Sequence, residues 1–236
     1  MISSNPSILI TGNKGFIASG LEGDGFDIKT CESDDVVTYK AKKQYDVVIH
    51  TAAKISVPES MKSPYEYVMT NVYGTLNMLK EHPEAHFIYL STAGVYGEGV
   101  NHTIHSPLKP DSVYASTKLS GEFLVKNLAK SWSILRLTNV IGEGERGEPN
   151  VYQIFKKAEV LPIYGNGLQT RDFIDVETVR KVIMLAIHKK GIVNVGSGVS
   201  RTILSVAEEF GKPIEFLPER QGEIKHFGIA DAYNIA

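Results

Sequence analysis

Short apolar segments alternate with helix-like segments along most of this 236-residue chain. The apolar segments cover residues 7–11, 25–32, 45–53, 87–92, 133–137 and 192–195, and helical patterns cover residues 64–81, 114–130 and a stretch that ends near Lys189. Strands separated by helices usually pair in parallel, because a parallel connection has to cross over one face of the sheet. The sequence therefore predicts an α/β fold, a doubly wound parallel sheet with helices on both faces.

The composition narrows the possible partners. The formal net charge is −2 and there is no basic block, so we expect no nucleic-acid partner. No apolar run is long enough to span a membrane and no leader-like segment opens the chain, so we expect a cytoplasmic protein with no membrane partner. The single cysteine, Cys31, excludes an intramolecular disulfide and fits a reducing compartment.

A glycine-rich turn follows the first predicted strand. Gly12 and Gly15 allow a tight turn in which backbone N–H groups approach a pyrophosphate at the start of a helix, and Ala18 stands where a third glycine is frequent. On its own, this pattern is equally typical of a plain strand–turn–helix connection.

Glu32 ends the second predicted strand, 20 residues after Gly12. A carboxylate at this distance from the glycine turn hydrogen-bonds the ribose hydroxyls of a bound dinucleotide and disfavours a 2′-phosphate, which favours NAD over NADP. The alternative is a solvated turn acid, since Asp34 and Asp35 follow closely.

Tyr114 and Lys118 lie four residues apart in a predicted helix, so their side chains share one face. An ammonium beside a phenol favours the phenolate, which makes Tyr114 a candidate general base. Most such pairs are surface residues, and the same spacing recurs at Tyr39/Lys43 and Tyr152/Lys156. What singles out Tyr114 is the preceding strand, which ends in the hydroxyl residues Ser91 and Thr92, together with the N-terminal glycine turn.

His50 and Asn71 are polar residues inside otherwise apolar segments. We interpret His50 as a packed or backbone-bonded histidine and not as a catalyst. Asn71 interrupts the predicted helix at 64–81, and either a core or capping role or a cofactor contact would explain it. No grouping of His, Cys, Asp and Glu has the spacing of metal ligands, so we expect no metal.

Seven motifs follow one another along nearly the whole chain. They are Thr11-Gly-Asn-Lys-Gly-Phe-Ile17, His50-Thr-Ala-Ala53, Thr70-Asn-Val-Tyr-Gly-Thr75, Ser91-Thr-Ala-Gly-Val-Tyr-Gly97, Tyr114-Ala-Ser-Thr-Lys118, Arg136-Leu-Thr-Asn-Val140 and residues 165–176. Together they resemble the extended short-chain dehydrogenase/reductases, in the NAD-dependent epimerase/dehydratase branch, and most of all its UDP-glucose 4-epimerases. The resemblance implies a Rossmann dinucleotide-binding domain at residues 1–141 and 172–196, with a small substrate-binding lid at 142–171 and 197–236.

The resemblance also implies roles for individual residues. The catalytic set would be Thr92, Tyr114 and Lys118. The NAD site would be formed by Gly12, Gly15, Phe16, Ile17, Glu32, Asp35, Ala52, Ala53, Asn71, Tyr114 and Lys118. The nucleotide-sugar substrate would be held by Thr92, Asn139, Arg171, Arg220 and Glu223. Arginine suits the diphosphate, because its planar fork binds phosphate bidentately.

The implied activity is 4-epimerisation of a UDP-hexose, of the UDP-glucose/UDP-galactose type, through a transient 4-keto sugar with NAD regenerated in each turnover. Helices at 64–82 and 114–130 resemble those that pair across a family dimer, so a homodimer is also implied. Dehydratases of the branch carry acids directly after the catalytic Thr or Ser. Ala93 and Gly94 stand at these positions and cannot carry a proton, so we expect no dehydration.

The chain departs from the family pattern in two places. The stretch from Glu32 to Asp46 is short, so a strand and helix around the adenine should be reduced, with Asp35 and Val36 as the remnant of an adenine-contacting pair. The chain also stops soon after Arg220, without the family's closing helix. Two other functions stay open: an NAD(P)-dependent reductase of nucleotide 4-keto sugars, and a non-catalytic dinucleotide-binding protein, since a fold does not fix function.

Overall fold

The computed structural model describes residues 6–21, 27–30, 35–143, 149–219 and 224–233. In chain order the strands are β1 (Ser7–Thr11), β2 (Asp27–Thr30), β3 (Val47–His50), β4 (His86–Thr92), β5 (Gly99–His102), β6 (Ser131–Leu137), β7 (Asn139–Ile141), β8 (Leu161–Tyr164), β9 (Thr170–Asp175), β10 (Gly191–Val195), β11 (Ser200–Thr202), β12 (Ile214–Leu217) and β13 (Phe227–Ile229). The α-helices are α1 (Val57–Lys62), α2 (Pro64–Tyr67), α3 (Gly74–Glu81), α4 (Val113–Leu128), α5 (Val151–Lys157), α6 (Val176–Ala186) and α7 (Ile203–Glu208). None of the described helices is long and apolar enough to cross a membrane.

Six strands form one parallel sheet in the order β2-β1-β3-β4-β6-β10. β2 lies on one side of β1 and β3 on the other, so the strand order reverses direction at β1. In open parallel sheets a ligand crevice forms at such a point, outside the carboxyl ends of the strands. The predicted α/β class with a parallel Rossmann-type sheet is confirmed.

Adjacent residues of each central strand serve two different cores. Ile8 and Val47 face the layer that contains α6, whereas Leu9 and Val48 face the layer that contains α3 and α4. Because successive side chains of a strand point to opposite faces, strands with helices on both sides are apolar at every position. The uninterrupted apolar segments of the sequence follow from this arrangement.

The first half of the sheet is short. Between β2 and β3, residues 35–46 contain a turn at 36–38 and no strand, as expected from the short sequence there. The helix predicted after the glycine turn is reduced, within residues 6–21, to a 3-10 turn at Ala18–Gly20. This turn ends because Leu21 leaves the helical conformation, with φ −76° and ψ 101°, and is buried in the core.

The helix predicted over 64–81 is divided into α2, a π-helix at Val68–Tyr73 and α3. Asn71 lies in the π-helix, and its side chain bonds outside the helix. Its Oδ1 accepts the backbone N–H of Lys54 at 2.8 Å, and its Nδ2 donates to the Lys54 carbonyl and to Oγ1 of Thr117, both at 3.0 Å. π-helical turns are rare in proteins, and many of those that occur lie at functional sites. This one ties the segment after β3 to α4.

The remaining strands form three small sheets: β11-β9-β7, β12-β8 and β13-β5. Asp172 of β9 is fully buried and fixes the first of them to the main sheet. Its carboxylate accepts hydrogen bonds from the Thr138 hydroxyl at 3.1 Å, from the Ser197 N–H and hydroxyl at 2.8 and 3.0 Å, and from the Gly198 N–H at 2.8 Å. β9 itself runs across the predicted border between residues 171 and 172, and the division into a Rossmann domain and a lid stays a prediction.

We expect Gly12→Ala to lower the free energy of unfolding more than the matched change Gly211→Ala. Both glycines have positive φ, +68° and +60°, so alanine costs roughly 1–2 kcal/mol at either site. A Cβ on Gly12 would lie 2.8 Å from the backbone N and Cα of Ala52, whereas nothing lies within 4 Å at Gly211. This clash should add about 1–3 kcal/mol, measurable by urea unfolding. Equal losses in the two variants would show that Gly12 is not required for close packing.

Candidate active site

A cleft of about 330 Å³ lies at the carboxyl end of the main sheet, between the segments that follow β1, β3, β4 and β6. This volume is within the usual range for ligand pockets, about 300–1,000 Å³. Eight of the predicted site residues line it, namely Gly15, Phe16, Ile17, Ala53, Thr92, Tyr114, Lys118 and Asn139. The structure thus brings the glycine turn and the predicted catalytic set to one cavity.

Tyr114 lies in the first turn of α4, where backbone N–H groups lack partners within the helix. The N-cap Ser112 accepts the N–H of Ala115 at 3.2 Å. The N–H of Tyr114 donates to Oγ of Ser60 at 3.1 Å, and the Ser60 hydroxyl donates to the Val57 carbonyl at 2.6 Å. α1, which the sequence did not predict, therefore supplies the partner that fixes the Tyr114 backbone at the cleft.

Lys118 is almost completely buried, with 3% of its surface exposed. Its Nζ lies 4.2 Å from the centre of the Tyr89 ring. Burial lowers the pKa of Lys118 from 10.5 to about 7, and the negative charge of Glu122 opposes this shift. Gly121 makes the close approach possible, since a Cβ there would lie 2.1 Å from the Tyr89 hydroxyl.

A buried ion pair stands beside Lys118. Arg136 Nε and Nη2 donate to the two carboxylate oxygens of Glu122 at 2.9 and 2.7 Å, and the residues are 1% and 0% exposed. Ser91 donates to Glu122 Oε1 at 2.6 Å, and Arg136 Nη1 donates to the Tyr96 oxygen at 2.8 Å. The Tyr96 hydroxyl then donates to Asn194 Oδ1 at 2.7 Å. These contacts join α4, β4, β6 and β10 at positions next to Lys118 and Thr92.

Thr92 ends β4 and caps the following 3-10 turn, Ala93–Tyr96. Its Oγ1 accepts the N–H of Gly94 at 3.1 Å, and a hydroxyl that accepts this bond can still donate its own proton. The residues that line the described part of the cleft include no Asp or Glu. Within the described ranges, no three His, Cys, Asp or Glu side chains are grouped to hold a metal ion.

His50 lies under the cleft and is fully buried. Its Nδ1 is 2.9 Å from the Thr11 hydroxyl oxygen, and its Nε2 is 3.1 Å from that of Thr75. Burial, and then the charge of Lys118, lower the pKa of His50 to about 3. The imidazole is therefore neutral at physiological pH, and the interpretation of His50 as a packed histidine is confirmed.

The other predicted site residues lie outside the lining of the cleft. Gly12 and Ala52 contact each other below the glycine turn. Asn71 bonds to Lys54 and Thr117, Asp35 is exposed and accepts the N–H of Val37 at 2.8 Å, and Arg171 donates to the Thr170 carbonyl at 2.8 Å. Their contacts to ligands stay predictions. Glu32, Arg220 and Glu223 lie outside the described residues.

Residues 22–196 match the model of the NAD dependent epimerase/dehydratase family. The chain belongs to this family. A Methanocaldococcus jannaschii protein named "Putative UDP-glucose 4-epimerase" is 32% identical over 256 residues, which cover 95% of this chain and 82% of that protein. The dTDP-D-glucose 4,6-dehydratase of Bos taurus is 31% identical over 209 residues, which cover 82% of this chain and 58% of the dehydratase.

A solved structure of the Thermus thermophilus UDP-glucose 4-epimerase in complex with NAD has the same fold. Its TM-score is 0.83 at 24% identity, and the match covers 95% of this chain and 90% of that chain. As a member of the NAD dependent epimerase/dehydratase family, the protein uses NAD as its cofactor. The crevice at β1 suits a dinucleotide, because the small residues Gly15, Ala18 and Ala53 border it.

Sequence reasoning missed several residues that shape this family member's site. Ser60 lies in an unpredicted helix, and no role was predicted for Glu122, Arg136 or Arg180, whose guanidinium donates to the Phe16 and Ile17 carbonyls. A signal was present for two of them, because Glu122 follows Lys118 by one helical turn and Arg136 lies inside an apolar strand. Arg and Glu are seldom fully buried unless they are paired, so a buried position for either residue implies a partner of opposite charge. The sequence does not show which residue that partner is.

We expect Lys118→Met to stabilise the cofactor-free protein by an amount that decreases as pH rises. Between pH 7 and 10.5 the unfolded chain holds a proton on Lys118 that the native protein lacks, so wild-type stability rises with pH there. Below pH 7 the full cost of the buried ammonium is present, and methionine has no such cost. Urea unfolding at pH 6, 8 and 9.5 measures the difference.

The exposed Lys130→Met is the matched control and should show no such trend. A difference between wild type and Lys118→Met that stays constant with pH would mean that Lys118 keeps its ordinary pKa.

Proposed function

We propose that the protein is an NAD-dependent nucleotide-sugar 4-epimerase that acts on a UDP-hexose of the UDP-glucose/UDP-galactose type. One observation carries this proposal: Thr92, Tyr114 and Lys118 meet the glycine turn at one cleft, and no carboxyl group lines its described part. These are the groups that proton transfer at a sugar hydroxyl requires. The similarity to the Methanocaldococcus jannaschii protein supports the same activity.

In this mechanism Tyr114 is the general base. It takes the proton of the C4 hydroxyl as a phenolate, and Lys118 provides the counter-charge four residues along the same helix face. Burial disfavours a lone ammonium, but in a region of low dielectric an ammonium and a phenolate stabilise each other. The Tyr89 ring, 4.2 Å from Nζ, adds a cation–π contact for the charged lysine.

Thr92 holds the oxygen on which Tyr114 acts. Its hydroxyl donates to O4 of the sugar while its oxygen is held by the N–H of Gly94. When bound, NAD⁺ supplies the hydride acceptor and then the hydride donor for C4. Tyr114 returns the proton to O4 after the 4-keto sugar has presented its other face.

Most of the binding residues that we propose line the cleft. Gly12, Gly15, Phe16, Ile17 and Ala53 would hold the dinucleotide, and Glu32 its ribose. Asn139 lines the cleft and donates to the Asp172 carbonyl at 3.3 Å, and we propose it as a contact of the substrate diphosphate. Arg171 follows in β9, beside the buried Asp172.

The dehydratases among the relatives are the main competing function. Dehydration needs an acid and a base at C5 and C6 in addition to the groups that oxidise C4. Ala93 and Gly94 follow Thr92, and neither can transfer a proton. A 4-keto-sugar reductase, in contrast, would consume dinucleotide in proportion to product.

We expect the purified protein to interconvert UDP-glucose and UDP-galactose without added dinucleotide, and to form no product lighter by one water.

Tyr114→Phe should reduce kcat by roughly 10²- to 10⁴-fold, the usual loss for a general base, with the fold intact. Tyr152→Phe is the matched control, because Tyr152 also precedes a lysine by four residues but lies outside the cleft. Chromatography of the nucleotide sugars measures the interconversion and the turnover of both variants, and mass spectrometry detects any product that has lost water. Near-wild-type turnover in Tyr114→Phe, or a 4-keto-6-deoxy product, would contradict the proposal.

We also propose a homodimer formed through α1, α2, the π-helix, α3 and α4. These helices carry seven exposed apolar side chains, at Met61, Tyr65, Val68, Tyr73, Leu76, Phe123 and Leu128. Contiguous exposed apolar patches are typical of interaction sites, and a twofold axis lets one patch cover its own copy.

Light scattering at micromolar concentration should give twice the 26.0 kDa of one chain. Phe123→Glu should shift the mass towards one chain, because the interface would bury an unpaired charge. Val199→Glu, at an exposed apolar residue elsewhere, should leave the dimer intact. A wild-type protein with the mass of a monomer would contradict the proposed dimer.

A further inference from the structure

Arg180 of α6 holds the glycine turn from outside the cleft. Its Nη2 donates to the Phe16 carbonyl at 2.8 Å, and its Nε donates to the Ile17 carbonyl at 3.0 Å. Its Nη1 donates to Glu177 at 2.5 Å, and only 13% of the side chain is exposed. Phe16 and Ile17 line the cleft, whereas Arg180 does not.

These two contacts set the direction of two peptide groups. In a trans peptide the carbonyl and the following N–H point in opposite directions. The Phe16 and Ile17 carbonyls point at Arg180, so the N–H groups of Ile17 and Ala18 point away from it. A turn held in this way presents donors on the side away from Arg180, and Ile17 and Ala18, which carry these N–H groups, line the cleft.

The turn needs such support because its own helix is short. In a complete dinucleotide-binding unit, the helix that follows the glycine turn contributes its dipole to the pyrophosphate. Within residues 6–21 that helix is the three-residue 3-10 turn Ala18–Gly20, too short for an appreciable dipole. The Arg180 guanidinium, paired with the mostly exposed Glu177, places a cationic group behind the same peptide groups.

Gly20 leaves the space that the guanidinium occupies. A Cβ at this position would lie 2.2 Å from Arg180 Cζ. Because the atom it would meet is the far end of a long side chain, a methyl group there would displace Arg180 and leave the backbone in place.

We propose that Arg180 is a positioning residue for the cofactor: it aims the peptide groups of the glycine turn at the NAD pyrophosphate and replaces the missing helix dipole. It acts through Phe16 and Ile17 and does not itself contact the reacting atoms. Its effect should therefore be confined to ligands that carry the dinucleotide pyrophosphate.

Arg180→Met tests this in the full chain after removal of bound cofactor. Calorimetric titration should show NAD⁺ and ADP-ribose binding weakened by about 10- to 100-fold, the scale of one or two hydrogen bonds to a charged group. UDP binding should change by less than about twofold, since the substrate site does not use the turn. Arg201→Met, at a partly exposed arginine paired with Glu209, is the matched control and should change none of these affinities.

Gly20→Ala gives an independent test without loss of the arginine. It should weaken NAD⁺ binding in the wild-type background and have little further effect in Arg180→Met, because both changes remove the same contact. Additive losses would assign the two effects to separate causes and overturn the proposal.

If Arg180→Met does not fold, Arg180→Lys replaces it. A lysine keeps the charge but lacks the fork that reaches two carbonyls, so NAD⁺ binding should weaken by a smaller factor, again with UDP binding unchanged. Equal NAD⁺ affinity in a folded Arg180 variant and the wild type would overturn the proposal. So would equal weakening of NAD⁺ and UDP binding, which would mark Arg180 as merely structural.

Discussion

The buried pair of Arg136 and Glu122 is the interaction on which the geometry of the cleft depends. Both charged groups are buried, and the loss of their hydration costs free energy unless their donors and acceptors are hydrogen-bonded within the protein. Two hydrogen bonds within the pair, one from Ser91 to Glu122 and one from Arg136 to Tyr96 give each guanidinium nitrogen and both carboxylate oxygens a partner. Ser91 precedes Thr92 and Glu122 follows Lys118 by one turn, so the contacts that satisfy the charges also fix the distance between β4 and α4. A cavity or a slipped helix in this region would leave a buried charge unpaired.

Close packing also governs the cofactor side of the cleft. Gly12 brings the glycine turn against Ala52, and Gly121 brings α4 against Tyr89, each where a Cβ would meet another atom. Close backbone approach at these two points leaves the cleft between the strand ends. Tyr114 and Lys118 line the cleft together with the turn. Ser60 bonds the Tyr114 backbone, and the ion pair fixes α4, which carries both residues, against β4 and β6. The chemistry of the site is thus set by packing that is mostly outside the cavity.

Much of this architecture could be predicted from the sequence. The alternation of apolar and helical segments predicted the parallel sheet, because strands covered on both faces must be apolar at every position. The four-residue spacing placed Tyr114 and Lys118 on one face of α4. The contacts that complete the site could not be predicted in the same way. The bond from the Tyr114 N–H to Ser60 spans 54 residues, and those of Arg180 to the turn span 163 and 164. Such partners depend on how distant segments meet in space, and the π-helix at Asn71 depends on the same tertiary contacts.

In the proposed reaction one cleft oxidises and then reduces the same carbon of a nucleotide sugar, Tyr114 transfers the proton, and the cofactor retains the hydrogen from C4. The most direct test of this proposal uses UDP-glucose labelled with deuterium at C4, incubated in ordinary water with the purified protein and no added dinucleotide. We expect UDP-galactose that retains the deuterium at C4, since the hydrogen returns from the cofactor and not from solvent. Loss of the label to water, or accumulation of a keto sugar with reduced dinucleotide, would contradict it.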